Sequence, residues 1–84
     1  MIRVRSFGGR FKECRKQAGL TQVAAAKLMG IGNSSISEYE NDISEPTASV
    51  IYKMAMVYGV TVDYLLGLDT PENGLILTTI IEDE

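Results

Sequence analysis

Across residues 7–67 the apolar positions recur at helical intervals, and glycine or a capping residue interrupts them before any run grows long. Phe7, Phe11, Cys14 and Ala18 are spaced by four, three and four positions, with Ser6 placed to cap the segment and Gly19 to end it. Thr21 offers a fresh cap, residues 22–29 are alanine-rich and free of breakers, and Gly30 is the stop expected of a second, short helix. Gly32 or Asn33 opens a third, in which Ile36, Tyr39 and Glu40 share a face while Asn33, Ser34, Ser37 and Glu38 remain on the polar side; Asn41 and Asp42 close it. Thr47 caps a fourth helix whose Val50, Ile51, Met54, Ala55 and Tyr58 form a buried stripe ending at Gly59. Thr61, with Asp63 in the first turn, starts a fifth that runs through Tyr64, Leu65 and Leu66 to Gly67. Beyond it, residues 71–74 read as a turn, and residues 75–81 hold five β-branched side chains in seven, a strand-prone tail.

The expected fold is therefore all-α, five helices in one domain over residues 1–68, with residues 69–84 as a tail, linker or dimerisation segment. A chain of 84 residues does not divide into two adequate cores. Histidine is absent and Cys14 is the single cysteine, which excludes an internal disulfide, a Cys/His zinc site and a His-dependent triad. No enzyme, cofactor or metal is expected. The best candidate acids, Glu38 and Asp42, lie four positions apart at a solvated helix end with no base beside them. The longest uncharged apolar run, residues 75–81, is far short of the roughly 20 residues that span a bilayer, so no membrane partner and a cytoplasmic location are expected.

The net charge of −3 conceals an asymmetry: residues 1–30 carry seven cations and one acid, while residues 31–84 carry Lys53 and ten acids. A basic amino-terminal third suits a polyanion, although a charge run by itself is equally a solvated surface. The second and third helices sharpen this. A helix from Thr21, a tight turn around Gly30 and Gly32, and a helix with a small, hydrogen-bonding outer face form the layout of a helix-turn-helix reader. Small side chains permit close approach to base edges in a major groove about 12 Å wide. A plain helical bundle that happens to expose Ser and Asn is the alternative from spacing alone.

Over residues 7–67 the sequence resembles the phage repressor and Cro type helix-turn-helix proteins. The resemblance rests on the run from Arg10 to Arg15, on Gly19-Leu20-Thr21-Gln22 with Ala26 and Gly30, on Ile36 with Tyr39-Glu40-Asn41, and on Pro46-Thr47 followed by the run from Tyr58 to Gly67. It implies a transcriptional regulator, most often a repressor, that binds a double-stranded operator as a homodimer. By position, Gln22 resembles the glutamine that contacts phosphate and supports the first residue of the reading helix. Gly32, Asn33, Ser34, Ser37 and Glu38 fall where the family meets the groove, and Asn41 where it meets backbone phosphate. Arg15 and Glu40 resemble a structural pair tying the first helix to the end of the third. Glu38 either accepts from a cytosine amino group or is turned off the groove.

Departures accompany the match. Asp42, Ile43, Ser44 and Glu45 occupy a stretch where the family often carries basic or neutral residues, Asp42 replaces a glycine, and Gly32 replaces a Ser or Thr cap. Val23, Ala25 and Leu28 make the second helix less amphipathic than is usual. Tyr64, Leu65 and Leu68 with the apolar tail are expected to supply a dimer surface, against the alternative that residues 69–84 are a linker. A protein-interaction module on the same scaffold, antitoxin-like or anti-repressor, is the second functional reading, supported by the acidic carboxyl half.

Overall fold

The computed structural model describes residues 6–68, and within them five helices: α1 (Gly8–Gln17), α2 (Gln22–Met29), α3 (Asn33–Glu40), α4 (Ala48–Tyr58) and α5 (Val62–Leu66). The strand-prone tail and its role in assembly lie outside the described residues. Three helix starts follow their threonines: Thr21, Thr47 and Thr61 each accept from the backbone N–H three residues on, at 3.1, 3.4 and 3.0 Å. Among the described residues, no helix is long and apolar enough to cross a membrane.

The helix ends share one device. A backbone N–H just past each helix reaches back five residues to a carbonyl, as in Leu20 to Arg15, Ile31 to Ala26, Ile43 to Glu38, Val60 to Ala55 and Leu68 to Asp63. Such a closure needs one residue with left-handed backbone, which Gly19, Gly30, Gly59 and Gly67 provide. At the end of α3 that residue is Asp42, at φ 59°.

Asp42 also corrects the expected start of α1. Ser6 does not cap that helix; Phe7 occupies the cap position with helical backbone and no capping side chain. The acceptor comes instead from 34 positions along the chain, where Asp42 Oδ1 takes the Gly8 N–H at 2.9 Å while the Ser6 hydroxyl donates to Oδ2. A carboxylate from the end of α3 thus answers the orphan donors of α1, and does so better than a neutral serine. The approach is close enough to exclude any side chain at residue 8, since a Cβ there would lie 2.4 Å from the Glu40 carbonyl oxygen.

The core gathers one face from every helix: Phe11 and Cys14 of α1, Ala25, Ala26 and Met29 of α2, Ile36 of α3, Val50, Met54 and Tyr58 of α4 and Leu65 of α5. Alanines at 25 and 26 let α2 pack tightly. Val23 and Leu28 project outward at 61% and 64% exposure, as their departure from an amphipathic pattern implies. Cys14 is a buried small hydrophobe whose thiol pKa is raised by desolvation. Leu65 was expected at an exposed dimer surface, but it is fully buried, the innermost of the α5 side chains with Tyr64 and Leu66 packed partly buried beside it. Tyr64 is likewise no spare surface: its ring lies under the Arg10 guanidinium at 4.6 Å, and its carbonyl accepts from Arg10 Nη2.

Candidate nucleic-acid interface

Helix α3 divides sharply by face. Ile36 is completely buried and Glu40 nearly so, whereas Gly32, Asn33, Ser34, Glu38 and Asn41 are exposed and Ser37 is half-buried. An isoleucine anchor in the middle and a carboxylate anchor at the end therefore orient the helix, and its small polar residues face outward. Gly32 stands at the cap position with extended backbone and supplies no side-chain acceptor.

The carboxylate anchor is the best-defined polar structure in the domain. Arg15 donates from Nε to Glu40 Oε2 at 2.6 Å and from Nη2 to Oε1 at 3.0 Å, the two-bond fork that matches guanidinium to carboxylate. Its Nη1 continues to the Leu20 carbonyl at 2.8 Å, which fixes the turn before α2. The Glu40 hydrogen bond holds the Arg15 pKa above its ordinary value. The two side chains are only 9% and 2% exposed, so neither charge could stay buried without the other. Tyr58 of α4 faces the same cluster with a buried hydroxyl that has no hydrogen-bond partner among the described residues. Burial first, and the Glu40 charge second, push its pKa up to about 12.

Gln22 is drawn into this cluster, its Nε2 donating to Glu40 Oε1 at 3.1 Å. The amide was expected to support the first residue of the reading helix, but it supports the last, because the buried carboxylate is the stronger acceptor within reach. Asn41 turns back as well, donating from Nδ2 to the Ser37 carbonyl at 2.8 Å and to Ser37 Oγ at 3.3 Å. Glu38 accepts from the Ser44 hydroxyl at 3.3 Å, a contact with the following loop that favours the off-groove reading of its carboxylate. Glu38 and Asp42 thus serve different partners and form no acid pair. Among the described residues no group of His, Cys, Asp and Glu could hold a metal ion. Asn33 and Ser34, by contrast, make no side-chain hydrogen bond among the described residues.

Sequence reasoning identified the outward face of α3 and the Arg15–Glu40 pair. It placed Tyr58 in the buried stripe of α4 but missed the charged cluster beside it, the Asp42 clip and the necessity of Gly8. Only Asp42 left a signal, as an acid where a left-handed residue was needed.

Residues 11–65 match the helix-turn-helix family HTH_3. The chain is similar to the HTH-type transcriptional regulator ImmR of Bacillus subtilis (strain 168), with 45% identity over 64 residues, covering 76% of this chain and 50% of that protein. It is also similar to the HTH-type transcriptional regulator PuuR of Escherichia coli (strain K12), with 43% identity over 54 residues, 64% of this chain and 29% of the relative. The chain thus spans half or less of these two relatives. Among solved structures it is similar to the P22 c2 repressor crystallised in complex with a synthetic operator, at a TM-score of 0.70 and 29% identity, over 77% of this chain and 98% of that one.

Proposed function

The chain belongs to the helix-turn-helix family, and from that premise we propose that it is a sequence-specific, DNA-binding transcriptional regulator, acting as a repressor and not as an enzyme. The observation that carries the proposal is the outward face of α3, where Asn33, Ser34 and Ser37 sit on a helix pinned by Ile36 and by the Arg15–Glu40 fork. Small hydrogen-bonding side chains on a rigid helix suit readout of base edges. An asparagine can pair bidentately with adenine, a contact worth about 1–3 kcal/mol of discrimination. Gly32 admits the backbone close to the groove, Gln22 flanks the helix as a phosphate contact through the Nε2–H it does not give to Glu40, and Asn41 flanks its other end by exchanging a Ser37 contact for phosphate. Glu38 is assigned to the rim.

A reading helix covers few base pairs, so a homodimer on a two-fold operator is part of the proposal. Tyr52 and Met56, one turn apart on α4 and 63% and 67% exposed, support it together with Val62 at the start of α5. The cytoplasm, where DNA and a reduced lone thiol both belong, is the expected compartment. Selection from a pool of random duplexes at low salt tests the whole reading. A recovered motif with two-fold symmetry is expected; uniform, sequence-blind retention would instead point to a protein-interaction module on this scaffold.

A further inference from the structure

The Glu40 carboxylate collects donors from two other elements: Arg15 of α1 at 2.6 and 3.0 Å, and Gln22 of α2 at 3.1 Å. Its own side chain, at the last position of α3, is 2% exposed. A primary amide carries two donors on its nitrogen and an acceptor on its oxygen. Which of these it shows to solvent depends on what fixes its rotation. A phosphate oxygen accepts hydrogen bonds and is repelled by a carbonyl, so a freely flipping amide is a poor phosphate ligand. With one Nε2–H fixed on Glu40, the Gln22 amide keeps its nitrogen toward α3 and has its second N–H available at the half-buried surface of α2.

We propose that Glu40 is a positioning residue for DNA binding: it sets the donor side of the Gln22 amide toward the DNA backbone and so ties the phosphate clamp to the carboxyl-terminal end of the reading helix. The inference rests on the reading of Gln22 as a phosphate contact. Arg15 is part of the device. Its guanidinium cancels the carboxylate charge, so an approaching phosphate meets an oriented N–H dipole and not an uncompensated buried anion. One consequence is a separation of tasks, because Asn33, unbraced at the other end of α3, can change its base preference without disturbing the clamp.

The test combines side-chain amide NMR with binding to a mixed-sequence duplex at low salt. In the free protein one Gln22 amide proton should be displaced from its solvated shift and protected from exchange, and the other should not. On adding duplex the protected proton should stay in place while the other moves. Glu40→Asp keeps a charge for Arg15 but withdraws the carboxylate by one methylene, and it should weaken binding about tenfold on every sequence, the worth of one hydrogen bond to a charged group. Gln22→Ala should lose the same factor, and the double variant no more than either single. Denaturant midpoints establish that each variant is folded. If Glu40→Asp does not fold, Gln22→Asn carries the test, since an amide one methylene shorter cannot span Glu40 and phosphate and should bind as weakly as Gln22→Ala. Multiplicative losses in the double variant, full binding by Gln22→Asn, or Gln22 amide protons that both keep the shifts and exchange rates of a solvated glutamine in the free protein would overturn the proposal. A wild type that binds no duplex at all refutes instead the DNA-binding reading on which it rests.

Discussion

Asp42 holds two roles that can be separated by substitution. Its backbone closes α3 in the left-handed region at φ 59°, where a residue with a Cβ costs roughly 1–2 kcal/mol relative to glycine. Its carboxylate meanwhile accepts from the Gly8 N–H at 2.9 Å and from the Ser6 hydroxyl, the part of a helix N-cap, whose loss typically costs about 1 kcal/mol and at most about 2. Asp42→Ala removes the cap and keeps the strain, and is expected to destabilise by about 1–2 kcal/mol. Asp42→Gly removes the cap but relieves the strain, partly offset by the freedom glycine gains in the unfolded chain, and should lose about 1 kcal/mol. Asp42→Asn keeps an acceptor for Gly8 and tolerates left-handed backbone, so it should stay within roughly 0.5 kcal/mol of wild type.

The expected order of stability is thus Asp, then Asn, then Gly, then Ala, read as urea midpoints at unchanged slope. Equal midpoints for the Ala and Gly variants would show that no strain is relieved. An Ala variant as stable as wild type would show that the clip contributes nothing. Either result refutes the account given for the start of α1. The same series bears on binding, because Asp42→Asn removes an anion beside the proposed phosphate path and should tighten DNA binding at low salt, with the gain fading as salt screens it.

Three further outcomes follow from the buried cluster and the face it supports. Arg15→Met leaves the Glu40 carboxylate buried with only the Gln22 amide, and should lower the stability measured by denaturant by roughly 3–5 kcal/mol, much of which Glu40→Leu should restore in the double variant. Tyr58→Phe removes a buried hydroxyl without a partner among the described residues and should raise stability by about 1 kcal/mol at neutral pH. Because the folded pKa of Tyr58 is raised from 10.0 to about 12, its contribution to stability is intact below pH 10 and is lost as pH rises toward 12. That loss amounts to roughly 2–3 kcal/mol, which alkaline unfolding should show for wild type and not for Tyr58→Phe. Asn33→Ala should relax preference at one base position by about 1–3 kcal/mol in a selection experiment, and equal loss on all sequences would contradict its assignment.

The helices were legible because local rules act alone there: Thr21, Thr47 and Thr61 cap as threonines do, and Gly30, Gly59 and Gly67 stop as glycines do. The outward face of α3 was legible from the same periodicity. What escaped was every feature built from residues distant in the chain. Ser6 has the right chemistry for a cap, and only the fold shows that Asp42 arrives to take that place. Gly8 looks like a poor helix residue until the Glu40 carbonyl is found against it. Leu65 reads as spare apolar surface in a five-residue helix, but so short an element can be held only by burying what it has. The Gln22 contact was misplaced by a whole helix length, because sequence position names the donor and says nothing about which acceptor is buried nearest.

These contacts also account for an acid-rich segment directly after the helix proposed to read DNA. The carboxyl end of a helix is the negative end of its dipole, so Glu38 and Glu40 in the last turn of α3 and Asp42 just past it ought to be unfavourable there. All three are answered from outside that helix, Glu40 by the Arg15 guanidinium, Asp42 by the amino end of α1 and Glu38 by the Ser44 hydroxyl of the following loop. Each acid near the end of α3 therefore already has a donor. Donors are also what a phosphate backbone would otherwise compete for, so the acids are held in place and away from the amino-terminal half of the helix. Asn33 and Ser34 remain there as side chains without internal duties, and exposed residues of that kind can usually be exchanged within about 0.5 kcal/mol. The chain thus separates the residues that position α3, which are fixed by burial and charge, from those that would choose a sequence, which are free to vary.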